Sequence, residues 1–323
     1  MDDSVIITGE FKNFLCSNQL IMVVTSYKNG EVLILDGDDN NVNINNINEN
    51  RPLTIFVDRN ELYISNKLFI KKYVVCKPDN SSIKIELNSM FFTSDIDIHD
   101  IFKYNDEIYF CSSLLNSVCK LSLQSDKVLK LFYTPKFITE RVLEDRCHLN
   151  GATIHNGDLF LTCVSSSNIY GGWKYNKCGG GIIIHVNTGN IILNNLSMPH
   201  SPNYHGGYIY FLNSGKGEVC KFNLETKELI VITFIKGFLR GLTIFEKDVL
   251  YGVVTCSKDR HEECFRGLEL EKLISDYNDV SCGLYLIDLN KTGINAVIGN
   301  IILNNHHELY DVDLVDLCKK EFI

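Results

Sequence analysis

Two segments of this chain match each other without a gap. FKYNDEIYFCSSLLNSVCKLSL at 102–123 aligns with NYHGGYIYFLNSGKGEVCKFNL at 203–224, an offset of 101. Tyr109 and Phe110 fall on Tyr210 and Phe211, Ser113 on Ser214, and Val118-Cys119-Lys120 on Val219-Cys220-Lys221. An offset of this size is two units of about 50 residues, the length of a propeller blade. A unit is therefore expected between the two, and ATIHNGDLFLTCV at 152–164 fills it. RPLTIF at 51–56 also matches RGLTIF at 240–245. Blades then start near 51, 98, 148, 199 and 239, with one more before 51. The fold expected is an all-β, six-bladed β-propeller, one domain over 1–323, each blade a four-stranded antiparallel sheet around a central channel. ELYDVDLV (308–315) is expected to close the ring with the N-terminal strands. The competing arrangement is a pair of β-sandwiches.

The local signals agree. Short apolar runs such as QLIMVVTSY (19–27), DLFLTCV (158–164), YIYFLNS (208–214) and GLYLIDL (283–289) are separated by turn signals such as KNG, HNGD and NTGN. The one segment read as helical is FRGLELEKLISDYND (265–279), with Leu268, Leu270, Leu273 and Ile274 near one face. A parallel α/β fold would need helices between its strands, and no GxGxxG follows a strand.

Composition narrows the function classes. The net charge is −9, so there is no basic excess to neutralise a phosphate backbone, and no nucleic-acid partner is expected. The N-terminus MDDSVIITGE lacks a basic region and a long apolar stretch, and no run approaches a membrane span. A cytoplasmic protein with no membrane partner is expected. Of the 12 cysteines, Cys111, Cys119, Cys163, Cys220 and Cys256 lie in strand patterns and read as buried thiols; no CxxC pair suggests zinc.

The repeat also aligns polar residues. Arg51, His99, Asn150, His200 and Arg240 each precede an innermost strand, at spacings of roughly one blade. In a propeller such positions surround the axis at one mouth. Two long insertions, SSSNIYGGWKYNKCGG (165–180) and 257–282, are expected on the same face as lid loops. The first carries Trp173; the second carries Arg260, His261, Glu262 and Glu263.

His99 and His200, two blades apart, could oppose each other across one divalent metal ion, or act as acid and base. Arg51 and Arg240 cannot ligate a cation and instead suit a carboxylate, sulfate or phosphate. Asn150 would orient the ligand, with His148 and Trp173 beside it. Against this, a channel histidine can simply bond main-chain carbonyls, and His148 lies one residue out of the aligned position. Cys147, next to His148, lacks a third group that would make it a nucleophile.

HLNG (148–151), SMPHSPNYHGG (197–207), LNSGKGE (212–218), RGLTIF (240–245) and the terminal LYDV (309–312) together resemble a bacterial family of uncharacterised propeller-like proteins, with motifs of the form HxNG, SMPHSP, LNSGxGE and RGL. The chain departs from that family after the glycine turn, where Tyr208 and Tyr210 stand in place of Leu or Trp. The resemblance covers most of the chain and implies the propeller fold, but no substrate. More loosely, the His and Arg ring looks like that of propeller lyases and lactonase-type hydrolases with an axial metal, an analogy of fold alone.

The expectation is a propeller with an axial site for a small anionic, sugar-acid-like molecule, serving a metal-assisted lyase or hydrolase. The alternatives are a scaffold that binds a protein partner through its insertion loops and a metabolite sensor without turnover.

Overall fold

The computed structural model describes residues 4–37, 41–76, 82–122, 129–258, 266–274 and 280–317. Six antiparallel sheets are arranged as six blades. Their innermost strands are Ile55–Asp58 (blade 1), Ile98–Tyr104 (blade 2), Leu149–His155 (blade 3), Pro199–His205 (blade 4), Phe238–Glu246 (blade 5) and Val312–Asp316 (blade 6). The two segments aligned in the sequence are blades 2 and 4, and 152–164 lies in blade 3 between them.

The ring closes as expected. The C-terminal strand Val312–Asp316 pairs with Leu20–Ser26, so blade 6 combines both ends of the chain. There is also a second closure: Val5–Gly9 adds a fifth, outer strand to blade 5 by pairing with Val297–Leu303. Between those two N-terminal strands lies an α-helix, Phe11–Asn18, which the sequence reading missed. Phe11, Phe14 and Leu15 have helical spacing and bury fully against Leu33 and Leu35 of blade 6 and Leu284, Leu286 and Ile301 of blade 5. The helix therefore plugs the seam where the ring closes.

The helix read at 265–279 is corrected. Its described part is a short 3-10 helix, Glu269–Leu273, followed by an extended Ile274. Leu268 and Leu270 do bury, but against Val164, Met198, Phe238 and Trp173, so they act as loop anchors. Arg260, His261, Glu262 and Glu263 lie outside the described residues.

Large side chains such as Phe110, Phe211 and Phe222 fill the space between blades and are fully buried. Cys111, Cys119, Cys163, Cys220 and Cys256 are buried and free, and burial pushes each thiol up.

Around the channel every seam is stitched by a side chain. Asp58 pairs with Lys103 at 2.7 Å between blades 1 and 2. The Asp100 carboxylate accepts the Ala152 N–H at 2.7 Å between blades 2 and 3. Thr153 accepts the Tyr204 N–H, and Asn203 donates to the Leu242 carbonyl, at the next two seams. Asp313 accepts from Thr243 on one side and from the Val57 N–H on the other, fastening blade 6 to both neighbours. Asp311 likewise accepts from Thr54 and the Ile55 N–H.

Candidate functional site

The same irregularity recurs where four innermost strands begin. In blade 2, Ile98 pairs with Ser112 and Asp100 with Cys111, leaving His99 without a cross-strand partner. In blade 3, Leu149 and Gly151 pair with adjacent residues, leaving Asn150 out. The register also shifts after His200 in blade 4 and after Leu239 in blade 5, where Arg240 and Gly241 face a single residue. These are β-bulges, which re-aim a side chain out of the alternating pattern. The residue just before the strand takes a left-handed φ in blades 2 to 4: Asp97 54°, His148 51° and Met198 51°. This backbone is costly for side-chain-bearing residues, and such strain is characteristically held at sites.

His99, Asn150, His200 and Arg240 all line one cavity of about 390 Å³ inside the ring. A second cavity of about 880 Å³ opens at the mouth where the strands enter. His99, Arg240 and Tyr310 line both, so these three side chains form the partition between mouth and channel.

The structure brings only part of the predicted ring to the mouth. Asn150 donates to the Pro199 carbonyl at 2.8 Å and accepts from Thr162 at 2.8 Å, which makes it a staple between blades 3 and 4. It does not line the mouth. His200 is buried below, its Nδ1 within 2.9 Å of the Met198 carbonyl and 3.0 Å of the Ser214 hydroxyl, and it too is absent from the mouth. Arg51 lines the mouth but not the channel. Pro52 cannot donate to a sheet ladder, and the strand starts only at Ile55, so Arg51 stays on the exposed rim with its guanidinium 5.8 Å from the Tyr27 ring.

His148 and Trp173, in contrast, are at the mouth. Their rings are 4.3 Å apart, and His148 lies 4.6 Å from His99. The His99 ring is in turn parallel to that of Tyr310 at 6.0 Å. One wall of the mouth is thus a row of rings from Trp173 to Tyr310. Asp145 anchors His148 twice, through Nδ1 at 2.6 Å and the backbone N–H at 3.0 Å. From the first insertion Trp173, Lys174 and Lys177 face the mouth; among the described residues of 257–282, none does.

Sequence reasoning missed Tyr310 as a member of the ring. It precedes the C-terminal strand and so holds the sixth axial position, 70 residues after Arg240 rather than one blade length. The closing role assigned to 308–315 was the signal that could have found it.

Arg240 is the unusual group. It is 3% exposed. Its guanidinium carbon lies over the Tyr310 ring, 3.8 Å from the centroid, and its Nη2 donates to His99 Nδ1 at 3.2 Å. Its Nε and Nη1 are buried without a hydrogen-bond partner, and no carboxylate pairs with it among the described residues. Buried cations are ordinarily paired. The mouth as a whole carries six Lys and Arg side chains against three carboxylates, in a chain of net charge −9.

The contacts of His99 fix its protonation. A guanidinium can only donate, so Nδ1 must hold a lone pair, and the proton is on Nε2. Nε2–H donates to Asp97 at 3.1 Å. The Tyr310 hydroxyl then donates to the same Nδ1. Burial alone would raise the Asp97 carboxyl; the neighbouring His99, which donates to it, together with His148 and the Ser113 hydroxyl outweighs burial and holds it well below the usual range.

This donor set does not fit a divalent ion. Both His99 nitrogens are engaged, a guanidinium touches one of them, and His200 lines the channel but not the mouth, its Nδ1 beside the Met198 carbonyl and the Ser214 hydroxyl. Among the described residues, no group of three or more His, Cys, Asp or Glu side chains converges as a metal site. Cys147 is fully buried against Asn116, away from the mouth.

Residues 9–323 match a domain of unknown function, DUF4915, and the chain belongs to that family. No curated protein matches the chain. Among solved structures, the chain resembles one from a nidogen/laminin complex, with a TM-score of 0.61 and 12% identity over 92% of this chain and 98% of that one. It also resembles a protein of unknown function from Bacteroides caccae, with a TM-score of 0.56 and 11% identity over the same shares. At such identities the likeness is one of fold. Among the described residues no helix is long and apolar enough to cross a membrane.

Proposed function

We propose that this member of the DUF4915 family binds a small organic anion in the mouth of its propeller, and that Arg240 holds it. The observation that carries this reading is the buried guanidinium with Nε and Nη1 unpartnered. Leaving such donors bare costs about 1–3 kcal/mol each, a cost that a bound carboxylate or phosphate removes. The cationic excess of the mouth attracts anions to that point in an otherwise acidic molecule. The row of rings from Trp173 to His99 gives a ligand an apolar face to lie on, which suits a sugar acid better than an inorganic ion. The cavity of about 880 Å³ falls in the range of small-molecule sites.

Calorimetric titration at low salt with galacturonate, glucose 6-phosphate and neutral galactose tests the reading. The expected result is binding of at least one anion, no binding of galactose, and loss of the signal in Arg240→Met. Equal binding of galactose, anion binding that survives Arg240→Met, or no binding of either anion would overturn it.

A further inference from the structure

Resting on that reading, we infer that the bound anion is also turned over: Tyr310 and His99 remove the proton next to a carboxylate held by Arg240, and a β-oxygen substituent leaves.

The argument is one of adjacency. Nη2 of Arg240 is 3.2 Å from His99 Nδ1, and the Tyr310 hydroxyl shares that nitrogen. The Arg240 guanidinium also stacks on the Tyr310 ring. A guanidinium offers a carboxylate two edges, Nε with Nη2 and Nη1 with Nη2. A carboxylate on either free donor therefore lies beside Nη2, the nitrogen that touches His99, and is brought toward the Tyr310 hydroxyl that shares that contact, with the carbon bearing the carboxylate foremost. Its C–H becomes more acidic as Arg240 neutralises the carboxylate, because the charge that develops on proton loss spreads onto those oxygens. The base is in place as well. Asp97 keeps the His99 proton on Nε2, so in the resting state Nδ1 holds a lone pair toward Tyr310, and it must give up the Arg240 contact when it takes the proton.

The step balances within these groups. The Tyr310 proton passes to His99 Nδ1 as the Tyr310 oxygen takes the substrate proton. The C–H electron pair forms a C=C bond, and the bond from the β-carbon to its oxygen breaks. The departing oxygen takes the proton that Tyr310 has just gained, and His99 returns its own to Tyr310. No outside oxidant or co-reactant enters. The products are an alcohol and an α,β-unsaturated acid. The substrate class is a uronate linked through the oxygen β to its carboxylate. Arg51 on Tyr27 and Lys174 on Trp173, neither paired with a carboxylate among the described residues, offer charge at the rim for a second uronate unit. His99 and Tyr310 are the catalytic residues; Asp97 acts through His99 and is a positioning residue.

The full chain should be incubated with oligomers of galacturonate, glucuronate and mannuronate. Binding is read by calorimetry, the unsaturated product by its ultraviolet absorbance, and exchange at the carbon next to the carboxylate by NMR in deuterated solvent. The expected result is an unsaturated product from a bound oligomer. Tyr310→Phe, which keeps the ring under Arg240, is expected to slow it by ~10²-fold or more with affinity retained, and His99→Gln to slow it by as much while also weakening binding, since it removes a ring of the binding face. Asp97→Asn is expected to retain binding and shift the pH profile, since His99 then faces only His148, Tyr310 and Arg240. Wild-type protein that binds an oligomer yet neither eliminates nor exchanges would overturn turnover while leaving anion binding intact. So would an unchanged rate in Tyr310→Phe. If no oligomer or other anion binds, the binding reading falls, and turnover with it.

Discussion

Nη2 of Arg240 donates to Nδ1 of His99 across 3.2 Å, although the two residues belong to blades 5 and 2 and are 141 positions apart. The contact spans the ring axis. It joins the one buried cation that lacks a counter-charge among the described residues to an imidazole whose tautomer Asp97 has fixed.

Arg240→Met is expected to stabilise the unliganded protein while abolishing anion binding. Two buried donors without partners cost about 1–3 kcal/mol each, and the cation–π contact with Tyr310 returns about 2 kcal/mol. The net gain on replacement by an apolar chain of similar length is about 0–4 kcal/mol. Thermal unfolding of the two proteins, with and without ligand, checks this; a lower melting temperature in the variant contradicts it.

Unfolding stability should fall as pH rises from about 5 to about 8. Burial pushes the Asp311 carboxyl up from 3.8 to about 7 and that of Asp313 to about 6, and it also raises Asp100 well above its ordinary value. The folded protein holds these protons where the unfolded chain has lost them. Their contribution is thus complete below pH 3.8 and disappears as pH passes through the folded values. Asp97 and Glu49 are lowered instead, so their opposite contribution is already complete above the ordinary carboxylate range. Asp313→Asn should reduce stability by losing seam bonds and flatten the slope. Urea denaturation across this pH range measures both, and an unchanged slope would contradict the assignment.

Gly241→Ala should loosen the closure. A Cβ at Gly241 would lie 2.7 Å from the Asp311 Cα and 2.8 Å from the Val312 N, both backbone atoms of the closing strand. Neither can swing aside, so a destabilisation of about 1–3 kcal/mol is expected. Early exchange of the Val312–Asp316 amides would accompany it in hydrogen-exchange experiments.

Trp173→Ala should weaken ligand binding about tenfold with little loss of global stability, since the ring stacks on His148 at the mouth rather than in a blade core. Comparing affinity and melting temperature separates the two effects. Equal loss of both would mean that Trp173 only packs the loop.

The blades were legible because each repeats the same apolar strands and turns. The 101-residue offset located three blades directly, and the RPLTIF and RGLTIF match located two more. Less was legible at the site. His99, Asn150 and His200 share a sequence position, yet only His99 reaches the mouth, because the place of each bulge decides where the side chain is aimed. Tyr310 was hidden because its strand is supplied from the far end of the chain, and the insertion in blade 5 lengthens its spacing from Arg240. The helix Phe11–Asn18 was overlooked between two strands, although Phe11, Phe14 and Leu15 have the spacing of one apolar face.

The central claim is that Arg240 is an anion anchor. A crystal structure of the protein soaked with galacturonate tests it most directly. The account predicts carboxylate density within about 3 Å of Nε or Nη1 of Arg240, with the sugar ring against His148 and Trp173. Galacturonate bound elsewhere, with Nε and Nη1 satisfied by protein atoms, would contradict it.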